Sequence, residues 1–241
     1  MDDNLEQLIK NLKLKRIAEI LERELRRARD KDSTLEEFLA RLLREEYLYR
    51  QERSLKNRIT KARLPERWAL ETFPFKKQPG VRKADIYRLA DLSFIANNAN
   101  VVFIGQTGVG KTGLASAVLL KALENGYRGL FIKAQDLFDD MYQSLADRSS
   151  RSLINRMMNL DVLLIDEMGY LNLQPEQSNL FFKLMEERYC RKSTIITTNL
   201  DYEEWYDFLG KKKMVGALLD RLRHHCHTVR IDGPSLRDPS G

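Results

Sequence analysis

Apolar side chains recur at helical spacing through the first 64 residues. Leu5, Leu8, Ile9 and Leu12, and then Ile17, Ile20 and Leu21, fall in sets on one face of a 3.6-residue helix. Ser33 and Glu36 have the spacing of a capping box, which opens a further helix. Leu35, Phe38, Leu39, Leu42 and Leu43 are its expected buried stripe. The pattern continues through Leu48, Leu55, Ile59 and Ala62, and neither Gly nor Pro occurs before Pro65, as continuous helices require. The repeat is short and close to 3.6 rather than 3.5, so a small all-α domain over residues 1–64 is expected rather than a coiled coil.

The pattern breaks at residues 65–80, LPERWALETFPFKKQPG from residue 64, with three prolines, one glycine and three aromatics. This reads as a linker or an irregular wrap at a domain boundary. From residue 81 to 241 short β-branched or apolar runs alternate with helical patterns. The runs fall at 101–104, 130–132, 162–165, 194–197 and 229–231. Such alternation predicts an α/β domain, a parallel sheet with helices on both faces.

Composition adds one asymmetry. The net charge is +6, but residues 1–49 carry 11 basic and 12 acidic side chains, residues 50–92 carry 12 and 5, and residues 93–241 carry 18 of each. The whole excess sits in one stretch, which points to an acidic polymer such as DNA as a partner. The two cysteines, Cys190 and Cys226, make no disulfide framework. No apolar run reaches the roughly 18–20 residues of a membrane helix, and the first ten residues lack the pattern of a signal peptide. A protein of the bacterial cytoplasm, with no membrane partner, is expected.

The chemistry is concentrated after the first predicted strand. Gly105, Gln106, Thr107, Gly108, Val109, Gly110, Lys111 and Thr112 fit G-x-x-x-x-G-K-[ST] between a strand and an apolar helix over 114–123, the context that this motif requires. Glycines let the backbone curl so that successive N–H groups face phosphate oxygens, and the following helix adds its positive end. Lys111 would reach the β- and γ-phosphates of ATP, and Thr112 would offer its hydroxyl to Mg²⁺. About fifty residues on, a strand ends in Asp166 and Glu167. Asp166 would hold Mg²⁺, and Glu167 would act as general base on the attacking water. The adjacent glutamate argues against a small-molecule kinase. A guanine-reading N-K-x-D and a transporter signature are both absent.

An assembly-forming ATPase of the AAA+ type remains. In that class Asn199, at the end of the 194–197 strand, would contact the attacking water or the γ-phosphate. Arg221 would be the arginine finger reaching a neighbouring subunit's ATP, with Arg223 as its rival. The run from Arg223 to His227 has the residue types of a metal site, but adjacent residues cannot all converge on one ion.

Several segments together resemble the IstB family of insertion-sequence transposition helpers, relatives of the DnaC helicase loaders. They are residues 100–115 (NVVFIGQTGVGKTGLA), 161–169 (DVLLIDEMG), 187–199 (ERYCRKSTIITTN), 217–225 (ALLDRLRHH) and 233–237 (GPSLR). Gly113 and Leu236 stand where the family commonly has histidine and tyrosine. The resemblance implies an AAA+ P-loop ATPase core preceded by a helical domain that binds DNA or partners and supports assembly, and with the sequence ending at Gly241 the helical lid is expected to be reduced or absent. It assigns Arg237 a sensor role at the nucleotide. It further implies a homo-oligomer on duplex DNA that presents the DNA to a partner transposase and hydrolyses ATP to disassemble. The alternative is a DnaC-like helicase loader on single-stranded DNA. Candidate phosphate-contacting residues are Arg50, Arg53, Lys56 and Lys61, with Arg58, Arg63 and Arg67 nearby, and Arg148, Arg151 and Arg156 in the stretch between the second and third strands. No base-reading motif is visible, so largely sequence-independent binding is expected.

Overall fold

The computed structural model describes residues 3–169, 173–210 and 212–237. Two compact units appear, Met1–Asn57 and Arg58–Gly241. Among the described residues, no helix is long and apolar enough to cross a membrane.

The first unit holds α1 (Asp3–Asn11), α2 (Lys15–Asp30) and most of α3 (Leu35–Ala62). Its core is Ile9, Ile17, Ile20, Leu21 and Leu42, with Leu14, Leu25 and Phe38 packed around it. The expected stripe on α3 is only partly buried. Phe38, Leu42 and Glu46 lie four residues apart in one inward column, whereas Leu35, Leu39 and Leu43 are 87%, 55% and 53% exposed. A three-helix core this small has room for one column of α3. The capping box is also displaced from the expected pair. The Thr34 hydroxyl accepts from Glu37 N–H at 3.2 Å, and the Glu37 carboxylate accepts from Thr34 N–H at 3.1 Å. Ser33 faces Arg41 instead. Glu46 is buried because it caps another helix. Its Oε2 accepts from the N–H groups of Arg16 and Ile17 at the start of α2, at 2.8 and 3.1 Å.

The second unit begins in the last turns of α3, where Arg58 Nε donates to Leu123 O at 2.8 Å. Residues 65–80, read in the sequence as a linker or an irregular wrap, are packed: Leu70, Phe73 and Gln78 are buried. Then follow α4 (Lys83–Ala90), α5 (Ser93–Ala96), β1 (Asn100–Gly105), α6 (Lys111–Glu124), β2 (Gly129–Lys133), α7 (Ala134–Ala146), α8 (Ser150–Met158), β3 (Val162–Met168), α9 (Pro175–Arg188), β4 (Ser193–Thr198), α10 (Trp205–Leu209), α11 (Lys212–His224) and β5 (Cys226–Ile231). All five predicted strands are present, each longer than its predicted run. They form one parallel sheet in the order β2-β3-β4-β1-β5. Among the described residues no helix follows β5.

Parallel strands covered on both faces read as continuous apolar runs rather than alternating ones. Val101, Val102, Phe103, Val162, Leu163, Leu164, Ile165, Ile195 and Ile196 are all fully buried. Each such side chain contributes about 1.5–3 kcal/mol by leaving water. Even-numbered Val102, Ile104 and Ile196 face the layer of α7, α9 and α11. Val101, Phe103 and Ile195 face α6 and the aromatic residues before β1. This sandwich fixes the carboxyl ends of β1, β3 and β4 side by side, which is where ligands bind in open α/β sheets.

Candidate nucleotide-binding site

The loop after β1 is held to the core by Val109, which is 1% exposed. Gly108 and Gly110 have φ of +86° and +96°, a region that side-chain-bearing residues enter at a cost. Close packing adds a second constraint at Gly110, since a Cβ there would lie 2.8 Å from the Phe73 ring. Gly113, which stands where the resembled family commonly has histidine, lies under Trp68, whose ring would be 3.3 Å from an added Cβ. Gln106 and Thr107 are exposed at the loop's tip. Lys111, the first residue of α6, turns back over the loop. Its Nζ donates to Gly105 O at 2.7 Å and Gln106 O at 2.8 Å. Burial lowers its pKa, Asp166 acts in the opposite sense, and the charge of Arg237 lowers it further.

The acids are positioned by an irregularity in β3. Ile165 pairs with Ile196, but Met168 pairs with Thr198, so β3 spends one more residue than β4 over this interval. A bulge of this kind re-aims side chains. Its second residue, Glu167, has φ +61°. Asp166 is 2% exposed and accepts from Thr112 Oγ1 at 2.9 Å and from Thr197 Oγ1 at 2.5 Å. Burial pushes its pKa above the usual carboxylate value, against those two hydroxyls. Glu167 is exposed. Its N–H donates to Thr197 Oγ1 at 3.0 Å, and its Oε2 lies 3.6 Å from Lys133 Nζ at the end of β2. Thr197 thus ties both acids to β4. Neither Thr197 nor Lys133 was assigned a role from sequence; a threonine in a β-branched run carries no separate signal.

Asn199 follows β4. Its Oδ1 is buried with no hydrogen-bond partner, 3.2 Å from where a Cβ on Gly169 would lie. The sheet therefore brings Lys111, Thr112, Asp166, Glu167 and Asn199 to one edge. The Thr112 hydroxyl and Asp166 carboxylate are hard oxygen donors of the kind that Mg²⁺ takes. A buried carboxylate with a raised pKa is a group whose charge a bound cation would stabilise. The residues fit a magnesium–nucleotide complex.

Arg237 is exposed, with its N–H on Ser235 Oγ at 3.2 Å. Arg221 is on α11, with Nη1 3.2 Å from Glu186 Oε1. Arg223 stacks over the Tyr202 ring at 5.3 Å. Of the basic candidates, Arg50 is engaged within the first unit: its Nε meets Glu46 at 2.8 Å and its Nη2 meets the carbonyls of Leu12 and Lys13. Arg53, Lys56 and Lys61 are exposed along α3, and Arg148 and Arg151 are exposed near the start of α8. Arg156 pairs with Asp140 at 2.9 Å.

Sequence reasoning also passed over Arg188, which is 1% exposed. Its guanidinium donates to Met157 O at 2.6 Å, Leu160 O at 3.2 Å, Thr194 Oγ1 at 3.0 Å and Ser193 O. It joins the end of α8 to the start of β4. Burial lowers its pKa to about 10, which leaves it charged at neutral pH.

Comparison with known proteins bears on the same residues. The sequence profile of the family described as IstB-like ATP binding protein matches residues 7–240. A protein of insertion sequence IS21 of Pseudomonas aeruginosa, named for ATP binding, is 35% identical over 233 residues, covering 97% of this chain and 88% of the relative. A similarly named protein of insertion sequence IS232 of Bacillus thuringiensis subsp. berliner is 32% identical over 240 residues, covering 98% and 96%. Among solved structures, DnaI matches with a TM-score of 0.59 and 20% identity over 69% of this chain and 92% of that one. The DnaC helicase loader matches with 0.57 and 23% over 68% and 97%. AMPPCP-bound DnaA from Aquifex aeolicus matches with 0.58 and 23% over 70% and 51%. The structural likenesses show the AAA+ P-loop fold.

Proposed function

The chain belongs to the IstB-like ATP-binding family, and on that premise we propose that it is an ATPase that assembles on duplex DNA, delivers it to a partner transposase and disassembles on hydrolysis. One observation carries the hydrolytic part. Thr112 and Asp166 meet at 2.9 Å across the mouth of the phosphate loop, and the bulge turns Glu167 out beside them.

The N–H groups of the loop would bind the β-phosphate of ATP, and the Lys111 ammonium would leave the carbonyls of Gly105 and Gln106 for the β- and γ-phosphate oxygens. Thr112 and Asp166 would hold Mg²⁺, which when bound neutralises phosphate charge. Glu167 takes a proton from the attacking water as its oxygen bonds to the γ-phosphorus and the bond to the ADP oxygen breaks. Asn199 Oδ1, an acceptor with nothing to accept from, orients that water through its second hydrogen. Arg221 exchanges Glu186 for the γ-phosphate of a neighbouring subunit, the role of an arginine finger. Arg237 lies on the same side as Lys111 and binds phosphate.

The cations support a DNA reading through their position. Arg53, Lys56 and Lys61 lie along one exposed helix, and Arg148 and Arg151 lie at a helix start. In this reading helical domain 1–64 serves DNA binding and assembly, residues 65–80 lead from it while packing into the core of the second unit, and residues 81–241 hydrolyse ATP. Arg50 and Arg156 would join the DNA contacts by giving up present ion pairs.

The test measures phosphate release and retention on duplex DNA together. The wild type is expected to release phosphate and leave the DNA as ATP is consumed. Glu167→Gln should bind ATP and stay on DNA without turnover, and Lys111→Ala should lose both. Undiminished phosphate release by Glu167→Gln overturns the mechanism.

A further inference from the structure

Gln78 is fully buried, and one amide group there joins three separate stretches of chain. Its Nε2 donates to Val109 O at 3.1 Å and to Pro234 O at 3.0 Å, while its Oε1 accepts from Gly80 N–H at 3.4 Å. Gly233 makes room for it, since a Cβ there would lie 1.7 Å from Gln78 Oε1, and Gly80 lets the turn after β5 approach, since a Cβ there would lie 2.4 Å from Asp232 O.

The turn at residues 232–237 also touches the phosphate loop directly. Leu236 N–H donates to Gly108 O at 2.9 Å. A Cβ on Gly108 would lie 2.2 Å from Ser235 Oγ, and one on Gly110 would lie 3.1 Å from Leu236 Cδ1. Peptide planarity gives these contacts a consequence. In a trans peptide the C=O and the following N–H point in opposite directions. Holding Gly108 O toward Leu236 and Val109 O toward Gln78 therefore directs the N–H groups of Val109 and Gly110 the opposite way. Two consecutive donors of the loop are thus aimed by hydrogen bonds made outside the loop.

We propose that Gln78 is a positioning residue for nucleotide binding: with Leu236 N–H it sets the direction of the Val109 and Gly110 donors, and it fixes beside them the turn that carries Arg237. The inference rests on the reading of residues 105–112 as the ATP site. It adds that the loop's shape is imposed by a residue 31 positions upstream and by the turn after β5. The effect of Arg237 on Lys111 is consistent with that proximity.

The experiment is a fluorescent-ATP titration of the full chain as wild type, Gln78→Met, Gln78→Glu, Arg237→Ala and Gln78→Met with Arg237→Ala. Methionine keeps length and volume but cannot donate, so an affinity loss of about tenfold is expected, one buried donor's worth. Glutamate should lose more, because its carboxylate would face two carbonyl oxygens. The double variant separates positioning from mere support of the fold. If Gln78 acts through the turn, Arg237→Ala should weaken binding less in the Gln78→Met background than in wild type. Wild-type affinity in folded Gln78→Met, or fully multiplicative effects, overturns the proposal. Should Gln78→Met not fold, amide exchange on the wild type decides: ATP should slow exchange at Leu236, and unchanged exchange there overturns it. Absence of ATP binding by the wild type would instead overturn the underlying site and the proposal with it.

Discussion

Replacing Arg188 by methionine isolates what the buried guanidinium does. Four acceptors lose this donor, the carbonyls of Met157, Leu160 and Ser193 and the hydroxyl of Thr194, though Met157 O keeps the Leu160 N–H at 3.3 Å. Each buried acceptor left without a partner costs about 1–3 kcal/mol. Against this stands the relief of no longer burying a charge, which is several kcal/mol per ion. The balance is a loss of about 3–5 kcal/mol, a large share of the roughly 5–15 kcal/mol that holds a domain folded. Urea unfolding followed by circular dichroism measures it. With a slope of about 2 kcal/mol per molar, the midpoint should fall by about 1.5–2.5 M. Arg188→Lys should recover little of this, because one ammonium cannot replace a planar fork that reaches α8 and β4 at once. A loss below about 1 kcal/mol in Arg188→Met would refute the assignment of Arg188 as the tie between these elements.

Two further predictions concern charge and capping. Because burial raises the pKa of Asp166, the native state binds that proton more tightly than the unfolded chain does. Its contribution to stability is full below the unfolded value of about 4 and is lost as pH rises through the raised one. Asp166→Asn should therefore unfold at higher urea than wild type at pH 7 without nucleotide or magnesium, with the gap narrowing toward pH 4, while losing magnesium-dependent ATP binding. Equal midpoints at pH 7 would contradict this. In the first unit, Thr34→Ala should lower stability by about 1 kcal/mol and Ser33→Ala by less than about 0.5 kcal/mol, compared by thermal melts. The reverse order would return the cap to Ser33.

The sheet and the phosphate loop were legible in the sequence because their determinants are local. A covered parallel strand must be apolar along its length, and a glycine-rich loop between such a strand and an apolar helix has few other readings. The capping box was misplaced by one residue because Ser33 with Glu36 and Thr34 with Glu37 satisfy the same pattern, and only the packed helix chooses between them. Periodicity gave the leucines of α3 a common face, but it does not say which column meets a core. The roles of Gln78 and Arg188 could not be read locally, since Gln78 meets Pro234, 156 residues away, and Arg188 reaches back 31 residues to Met157. Thr197 ties both acids to β4, yet a β-branched strand offers no sign of it.

The strand order also has a consequence for synthesis. The strand that carries the phosphate loop lies between β4 and β5, and Asn100 pairs with Cys226 across more than half the chain. A growing polypeptide can stack β1, β3 and β4 early, but one flank of the loop stays bare until β5 leaves the ribosome. Contacts this distant in sequence form late and slowly. Nucleotide therefore meets a finished cradle only once β5 has been made and has docked beside β1.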